Sequence, residues 1–302
     1  MTLTANDWYR HTALRDAQSA ALTFPRSAAV AAIVRLALAE DVGRGDLTTE
    51  ATVDPDATAT ADLLQKAPGV LCGLPVVDEV FAQLDPRVRV TRLAHEGSHS
   101  DEQRRVVARL QGPAPAILTG ERTALNFVQR LSGVATLSRR AAGLVLGTQA
   151  RVIDTRKTTP GMRVLEKYAV RLGGASNHRA GLDDGLLIKE NHIRAAGGIT
   201  RAVQAAQRRA APGQVVEVEV TNLDELEEAL AVGARLILLD NFAEAGLRAA
   251  VVQTAGRARL EASGGITLDN LAAIAATGVD FISLGALTHS AGSLDFSLEV
   301  RP

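Results

Sequence analysis

The second half of the chain alternates between short apolar runs and amphipathic segments of helical length. The apolar runs predict six strands, at 151–154, 186–189, 215–220, 236–240, 258–261 and 281–284. The intervening segments predict helices near 163–172, 198–210, 222–232, 243–254 and 267–276. Strands separated by helices are typical of βα repeats around a parallel sheet. Because six strands are fewer than the eight of a complete barrel, the pattern predicts an incomplete (β/α)6-type barrel or an open sheet.

The first half of the chain has the pattern of an α+β layer. Residues 1–26 are polar and weakly patterned, which suggests a loose N-terminal helix, and Ser27 can cap a helix that runs through about Glu40. Alternating apolar and polar residues predict strands at 58–64, 88–93 and 106–110. Pro75 can open a helix between the first two strands. The glycine-containing stretch 41–49 is interpreted most simply as a helix stop.

A long apolar stripe predicts one helix from Gly120 to about Gly147. Arg122 would then lie in the first turn, where the helix dipole mildly disfavours a cation. That placement is a small argument for a ligand-binding role, and a solvated surface arginine is the alternative.

The alternating tail at 293–300 predicts a strand that either returns to the N-terminal sheet or lies at a subunit contact. A chain of 302 residues is long enough for one large domain or two of moderate size. A return of the tail to the N-terminal sheet would make that domain discontinuous in sequence.

The composition limits the class of partner. The 302 residues carry a formal net charge of -1, and aromatic residues make up 3%, so nucleic-acid binding is not indicated. Cys72 is the single cysteine, which excludes an intrachain disulfide and a cysteine-based zinc site. The N-terminus lacks the apolar core of a signal peptide, and the longest apolar run, 28–39, is interrupted by Arg35. We therefore expect a soluble, cytoplasmic protein that does not span a membrane.

Positive charge is concentrated between Val152 and His192. The basic side chains of this segment alternate with 158–161 and with Gly173 and Gly174, residues that turn the chain and expose backbone N–H groups. Basic side chains and free amides together suit a ligand with several negative charges. The segment therefore predicts an anion pocket for a phosphorylated substrate.

Polar residues and glycines follow each of the six predicted strands. They are Asp154, Arg156 and Lys157 after the first strand, Lys189 at the end of the second, Glu219 near the end of the third, Asp240 at the end of the fourth, Ser263, Gly264 and Gly265 after the fifth, and Gly285 after the sixth. In parallel α/β folds the carboxyl ends of the strands form the ligand-binding face. The placement therefore predicts one shared site.

Several of these residues also have a purely structural interpretation. Glu217 and Glu219 alternate with valines, so both would point into the barrel, where they need cations such as Lys189 or the arginines. An internal salt-bridge network is the alternative to a functional Glu219, and the same interpretation is favoured more strongly for Glu217. Asp240 could be an N-cap of the following helix. The glycine turn 263–265, expected to open the next helix, could seat a phosphate.

Specific motifs carry a family resemblance over nearly the whole chain. They are GRGDLTT at 43–49, GERTALNF at 120–127, DTRKTTPGMR at 154–163, KYAV at 167–170, GGASNHRAGLDDGLLIKENH at 173–192, VEVEV at 216–220, LLDNF at 238–242, EASGGI at 261–266 and GALTHS at 285–290. In this order they resemble the nicotinate-nucleotide pyrophosphorylase (carboxylating) family, also called quinolinate phosphoribosyltransferase. One departure is Ala175, which stands where the family usually has a third consecutive glycine.

The resemblance implies a homodimeric enzyme of two domains. The first is an α/β sandwich over 1–121, completed by the C-terminal strand within 286–302, and the second is an incomplete α/β barrel over 122–285. The implied reaction joins quinolinate to phosphoribosyl pyrophosphate and gives nicotinate mononucleotide, pyrophosphate and CO2. It requires Mg²⁺ and is a step of de novo NAD synthesis.

The resemblance and the chemistry of the substrates together imply roles for the matching residues. Arg156 and Arg179, assisted by His178, would bind the quinolinate carboxylates, and Arg122 would reach in from the partner subunit. Lys157 and Lys189 suit the phosphate charges. Glu219 and Asp240 would bind ribose hydroxyls and, through water, Mg²⁺. The remaining substrate-binding candidates are Thr155, Ser263, Gly264, Gly265, Leu284, Gly285 and Ala286. The scheme demands no general base and no covalent nucleophile.

Three other functions fit parts of the sequence. A molybdenum-transport-associated paralogue family shares the barrel and part of the TRKT-type motif, whereas the LIKENH run favours the quinolinate enzyme. Lys189 at a strand end could be the nucleophile of a Schiff-base aldolase, which borohydride trapping would reveal. A non-catalytic sensor of phosphoribosyl ligands would bind both substrates without releasing pyrophosphate.

Overall fold

The structure, a computed structural model, describes residues 22–301. These residues form two compact units. The barrel unit comprises Arg140–Thr158 and Ala175–His289, and the sandwich unit comprises Leu22–Arg139, Thr159–Gly174 and 290–301. The loose helix expected within 1–26 lies almost entirely outside the described residues. The domain limits expected at 121 and 285 remain predictions.

The first half of the described chain matches the expected α+β layer. Its elements in order are α1 (Ala28–Val42), α2 (Leu47–Thr52), β1 (Thr58–Gln65), β2 (Gly69–Val70), α3 (Leu74–Leu84), β3 (Arg89–Arg92), β4 (His99–Ser100), β5 (Arg105–Pro113) and α4 (Ala114–Leu144). Ser27 caps α1 as predicted, since its hydroxyl accepts a hydrogen bond from the N–H of Val30. The short helix α2 was not predicted; it begins because the Asp46 carboxylate accepts from the N–H of Thr49.

The sandwich unit is built on a four-stranded antiparallel sheet in the order β12-β1-β5-β3, where β12 is Phe296–Val300. The C-terminal strand pairs with β1, with Phe296 opposite Gln65 and Val300 opposite Ala61. Of the two positions expected for this strand, the structure therefore has the one in which it pairs with the N-terminal sheet.

Helix α4 begins six residues before the predicted start at Gly120, and the position expected for Arg122 is wrong. Pro115 is accepted in the first turn of a helix, where its missing N–H has no intrahelical partner to lose. Gly120 lies inside the helix, where an added Cβ would come within 2.6 Å of the Phe81 ring. The glycine therefore permits close packing, and Arg122 lies beyond the first turns, where the helix dipole no longer bears on it.

The barrel unit contains the predicted alternation of strands and helices. Its elements in chain order begin with β6 (Arg151–Ile153), which is followed by α5 (Arg163–Leu172) of the sandwich unit. The barrel unit then continues with β7 (Leu186–Ile188), α6 (Glu190–Ala196), α7 (Ile199–Arg209), β8 (Val216–Val220), α8 (Leu223–Ala231), β9 (Leu236–Asp240), α9 (Glu244–Thr254), β10 (Arg259–Ser263), α10 (Leu268–Ala275), β11 (Phe281–Ser283) and α11 (Ala286–His289). The short helices α6 and α11 were not predicted, because each is only one or two turns long.

The six strands form one parallel sheet in the order β6-β11-β10-β9-β8-β7. Two strands that follow each other in the chain, β6 and β7, are its two edges. The sheet is therefore an incomplete (β/α)6-type barrel, as predicted.

The strand register aligns residues in rows across the inner face of the sheet. Ile153, Leu236 and Phe281 form a buried apolar cluster against which Val215 packs. Glu217 pairs with Leu236, and Leu238 pairs with both Glu219 and Glu261; of these glutamates, Glu217 and Glu261 are buried. Asp240 and Ser263 pair with each other two residues further toward the carboxyl ends. The polar residues therefore share one face of the sheet with the apolar cluster.

Among the described helices, none has the length and the apolar character that crossing a lipid bilayer would require.

Candidate active site

The ends of β7 and β8 are joined by an ion pair. The Lys189 ammonium lies 2.7 Å from the Glu219 carboxylate, and the Lys189 side chain is half exposed while that of Glu219 is 12% exposed. The expected pairing of an inward glutamate with Lys189 is thereby confirmed. The salt-bridge interpretation and a functional one do not compete here, because a half-exposed ammonium keeps hydrogen-bonding capacity for a ligand.

Asp240 ends β9 and is held by the next residue. The side-chain amide of Asn241 donates a hydrogen bond of 2.8 Å to the Asp240 carboxylate, and Asn241 adopts a left-handed backbone conformation with φ 57°. Partial burial, followed by the charge of Glu219, raises the pKa of Asp240 above its ordinary value, while Lys189 and Lys157 oppose that shift. The N-cap interpretation of Asp240 is wrong, because Ala243 caps α9.

The glycine turn after β10 approaches the end of β9 closely. Ser263 pairs with Asp240 in the sheet, and its carbonyl accepts a hydrogen bond from the Asn241 N–H. Gly264 has φ 91°, and an added Cβ would lie 2.1 Å from the Asn241 amide oxygen. The expectation that this turn opens the next helix is wrong, because α10 begins at Leu268 with Thr267 as N-cap. Gly265 shares the left-handed conformation.

Gly285, after β11, makes room for the lysine that follows β6. A Cβ at Gly285 would lie 3.1 Å from Cδ of Lys157 and 3.1 Å from Nε2 of His289. The Leu284 N–H donates to the Ile153 carbonyl at 2.9 Å, so this amide is not open to a phosphate, and Ala286 begins the short helix α11. The segment therefore orders the end of the sheet beside Lys157.

The loop after β6 is fixed by hydrogen bonds at both ends. Fully buried Asp154 accepts from the His178 N–H at 2.8 Å and from the Asn177 side chain at 2.7 Å. The Thr155 hydroxyl accepts from the Lys157 N–H at 3.0 Å, and the Thr288 hydroxyl donates to the Lys157 carbonyl at 2.7 Å. These contacts hold the Lys157 backbone while its side chain is exposed.

Arg179 is largely buried beside the ring of His178. The Arg179 N–H donates to Nδ1 of His178 at 2.7 Å, and the guanidinium donates to the Gly185 carbonyl at 3.1 Å. Burial, and then the like charge of Arg156, lower the pKa of Arg179 from its ordinary value. Two guanidinium groups therefore lie near enough to repel each other, which an anionic ligand between them would relieve.

A buried cluster of His178, Glu217 and Glu261 was not predicted from the sequence. Nε2 of His178 lies 3.0 Å from the Glu217 carboxylate and 3.6 Å from that of Glu261, and the two glutamates are 2% and 1% exposed. Burial raises the pKa of both carboxyl groups. The inward phase of Glu217 could be derived from its strand, but a contact between residues so far apart in sequence depends on the curvature of the sheet.

The hydrogen bonds of His178 argue against a metal ion in this cluster. Because Nδ1 accepts the Arg179 N–H, the ring proton is assigned to Nε2, which then donates to Glu217. Metal coordination would need a lone pair on Nε2. The cluster therefore suits internal hydrogen bonding.

Arg122 belongs to the sandwich unit, whereas the other candidate residues belong to the barrel unit. It lines a depression together with Asp41, Asp46, Leu118 and Thr119. Asp46 accepts hydrogen bonds from Thr49 and Thr119 there. The family motif at 43–49 and Arg122 are thus neighbours.

Ala175 does not disturb the chain before His178. Of the three residues in question, Gly174 takes the left-handed conformation with φ 97°, and Ala175 is not among the described residues with positive φ. The third position therefore does not require glycine.

The structure brings most of the candidates to one end of one sheet. Glu219 and Asp240 lie at the carboxyl ends of β8 and β9, and Lys157, Lys189 and Gly264 follow the carboxyl ends of β6, β7 and β10 in the same parallel sheet. Two cations, two carboxylates and a close-approach glycine turn can together bind a phosphorylated sugar.

Two family profiles match the chain. The profile described as quinolinate phosphoribosyl transferase, N-terminal domain, matches residues 46–132, and the corresponding C-terminal domain profile matches residues 134–299.

Curated relatives and solved structures agree with these profiles. A probable nicotinate-nucleotide pyrophosphorylase [carboxylating] of Bacillus subtilis is 45% identical over 263 residues, which cover 86% of this chain and 90% of the relative. A protein of the same description from Synechocystis is 46% identical over 266 residues, covering 87% and 90%. The structure of the nicotinate-nucleotide pyrophosphorylase from Francisella tularensis superimposes with a TM-score of 0.86 at 44% identity, covering 90% of this chain and 96% of that one.

The fold, the strand-end residues and the matches over both halves agree, and the chain belongs to the quinolinate phosphoribosyltransferase family of decarboxylating pentosyltransferases.

Proposed function

We propose that this chain transfers the phosphoribosyl group from phosphoribosyl pyrophosphate to quinolinate at the carboxyl ends of β6 to β11. The observation that carries the proposal is the convergence of Lys157, Lys189, Glu219 and Asp240 at this one end of the sheet. The family membership names the reaction, and the convergence supplies a single place for it.

Arg156 and Arg179 bind the two carboxylates of quinolinate in this proposal. A guanidinium presents paired N–H donors that match a carboxylate, and the mutual repulsion of these two arginines is relieved when a dianion lies between them. Arg122 of a second copy of the chain completes the anion site in a homodimer.

The proposed ribose-binding groups are Glu219 and Asp240. As the bond to pyrophosphate lengthens, positive charge develops at C1 of the ribose, and two nearby carboxylates stabilise it. Lys157 and Lys189 bind the phosphate oxygens. The glycine turn 263–265, with Gly285, accommodates the 5-phosphate in this proposal. A side chain at Gly264 would collide with Asn241, so the close approach of this turn to the end of β9 requires glycine.

The bonds balance without a covalent enzyme intermediate. The quinolinate nitrogen forms the new bond to C1, and the pair of electrons of the broken C1–O bond leaves with pyrophosphate. The C2 carboxylate then departs as CO2. Its bonding electrons stay on C2, where the quaternised ring stabilises them until one proton adds.

The residues present fit a hard divalent cation such as Mg²⁺. Glu219 and Asp240 offer oxygen ligands, which Mg²⁺ prefers, and both are partly exposed, so waters can complete its shell. The ion would supply charge neutralisation of the pyrophosphate. A cytoplasmic location belongs to the same proposal.

The structure disfavours the aldolase interpretation of Lys189. A Schiff-base lysine is typically desolvated or placed beside another cation. Lys189 is half exposed and paired with a carboxylate. A borohydride experiment with a sugar phosphate should therefore trap nothing.

The direct test is to incubate the protein with Mg²⁺, quinolinate and phosphoribosyl pyrophosphate and to detect nicotinate mononucleotide by chromatography. Omission of Mg²⁺ and replacement of quinolinate by nicotinate are the controls. Binding of both substrates with no pyrophosphate release would favour the sensor and contradict the proposal.

A further inference from the structure

Both ring nitrogens of His178 are engaged by the protein itself. Nδ1 accepts the Arg179 N–H at 2.7 Å, and Nε2 lies 3.0 Å from the Glu217 carboxylate. The side chain is 8% exposed. A buried imidazole whose two nitrogens both make hydrogen bonds within the protein is better placed to orient its neighbours than to bind a ligand from solution.

The two hydrogen bonds depend on each other through the ring proton. A neutral imidazole has one N–H and one lone pair. As long as Glu217 accepts from Nε2, the lone pair stays on Nδ1 and can receive the Arg179 N–H. If the proton moved to Nδ1, two N–H groups would face each other at 2.7 Å, and the contact would become repulsive.

The residue that governs this ring is fixed on a rigid element. Glu217 is the second residue of β8, with β7 on one side and β9 on the other, and Glu261 closes the cluster from β10. Elements of a sheet hold side chains more accurately than loops do. The contact of Glu217 with His178 thereby fixes the position of the loop that carries His178 and Arg179 relative to the sheet.

We propose that Glu217 is a positioning residue for substrate binding: by accepting the Nε2–H of His178 it sets the tautomer that holds the Arg179 backbone, and so aims the Arg179 guanidinium at a substrate carboxylate. The proposal rests on the proposed function of Arg179. Glu217 itself touches no substrate.

The kinetic test compares two substitutions of the same residue. Leucine in Glu217→Leu cannot accept a hydrogen bond, whereas the amide oxygen in Glu217→Gln still can. We expect the KM for quinolinate to rise about 10-fold or more in Glu217→Leu, with kcat and the KM for phosphoribosyl pyrophosphate changed less than about threefold. Glu217→Gln should recover most of the quinolinate affinity.

Val218→Ala is the matched control, because Val218 is buried on the opposite face of the same strand. It perturbs the strand without touching His178, so the KM for quinolinate should not change. Equal loss toward both substrates in Glu217→Leu, or equal effects of leucine and glutamine, would show a merely structural role. If Glu217→Leu does not fold, His178→Asn and His178→Leu give the same comparison, because only asparagine can still accept the Arg179 N–H.

A second readout does not require catalysis. The 15N spectrum of the histidine-labelled free protein should show His178 with the proton on Nε2, its signals assigned from the His178→Asn variant. In Glu217→Leu this tautomer should be lost. A proton on Nδ1 in the unsubstituted protein would overturn the proposal, even if nicotinate mononucleotide is formed. Conversely, absence of that product with the expected tautomer would refute the proposed function alone.

Discussion

A carboxylate buried beneath strand ends needs hydrogen-bond donors, and the barrel unit meets this need in two ways. Asp154 takes its donors from the loop that carries Asn177 and His178, so it organises the backbone around the site. Glu217 takes its donor from the His178 ring, so it organises a side chain. In both cases the cost of burying charge is offset by geometry that the site uses.

Arg179→Ala should weaken quinolinate binding far more than phosphoribosyl pyrophosphate binding. Removing a guanidinium that binds a carboxylate typically costs about 2–3 kcal/mol, so the Kd for quinolinate should rise roughly 30- to 150-fold by calorimetry. Exposed Arg194, whose guanidinium pairs with Glu190, provides the control Arg194→Ala, which should leave both affinities unchanged. Equal losses for the two substrates would remove Arg179 from the quinolinate site.

Glu261→Gln should make the fold less sensitive to alkaline pH. Burial, and then the neighbouring charge of Glu217, raise the pKa of Glu261 to about 8. A folded-state pKa above the unfolded one gives stability that is complete below the unfolded value, near 4.5, and is lost as pH rises through about 8.

Denaturant unfolding at pH 5 and pH 9 measures this effect. The unsubstituted protein should lose free energy of unfolding over this interval, and Glu261→Gln should lose less, by on the order of 2 kcal/mol. Glu228→Gln is a control, because Glu228 is exposed and hydrogen-bonded to Thr200. The same pH dependence in the protein and in Glu261→Gln would show that Glu261 is not the titrating group.

At this scale the sequence predicts contacts between the ends of neighbouring strands but not contacts between a loop and a strand. The pairing of Lys189 with Glu219 followed from phase along neighbouring strands. The contact of His178 with Glu217 joins a loop to a strand, and strand periodicity carries no information about where a loop places a ring.

At the scale of elements, glycines inside α4 record contacts that the sequence does not reveal. An added Cβ at Gly133 would lie 1.9 Å from the Gly292 carbonyl oxygen, as Gly120 lies against Phe81. A glycine in a helical pattern usually lowers the expectation of a helix, so the predicted start fell at Gly120. Here tertiary packing outweighs the cost of glycine in the helix.

Phe296→Ala should destabilise the sandwich unit, because β12 contributes Phe296 to its core. The side chain is 3% exposed, and truncation of a buried phenylalanine costs about 3–5 kcal/mol. Val300→Ala, in the same strand but about half exposed, should change the free energy of unfolding by less than roughly 0.5–1 kcal/mol. Similar small changes in urea unfolding for both variants would mean that β12 is not an essential part of the sheet.

At the scale of the whole molecule, the repeating pattern of the second half predicted a parallel sheet whose strand ends carry the polar residues. The order of the strands, with β6 and β7 at the edges, could not be derived from the pattern, because hydrophobic periodicity defines each strand but not its neighbours. The family resemblance supplied the two-domain plan that the pattern only outlined.

Arg122→Ala and Lys157→Ala test the proposed sharing of residues between two copies. Each variant alone should be nearly inactive. Co-expression should restore up to about a quarter of the normal activity, because half of randomly formed dimers are mixed and one of their two sites is intact. Separately purified variants kept apart are the control. No recovery in verified mixed dimers would place Arg122 in its own subunit's site or outside any site.

The two lysines proposed to hold phosphate follow the two free margins of the sheet, Lys157 after β6 and Lys189 after β7. A polyanion gripped by both would act as a clasp across the opening that the strands leave. Bound substrate should then increase the protection of the β6 and β7 amides from hydrogen exchange more than that of the amides of β9, an interior strand of the sheet. The bound substrate would thus bridge β6 and β7, the two edge strands that the backbone hydrogen bonds leave unconnected.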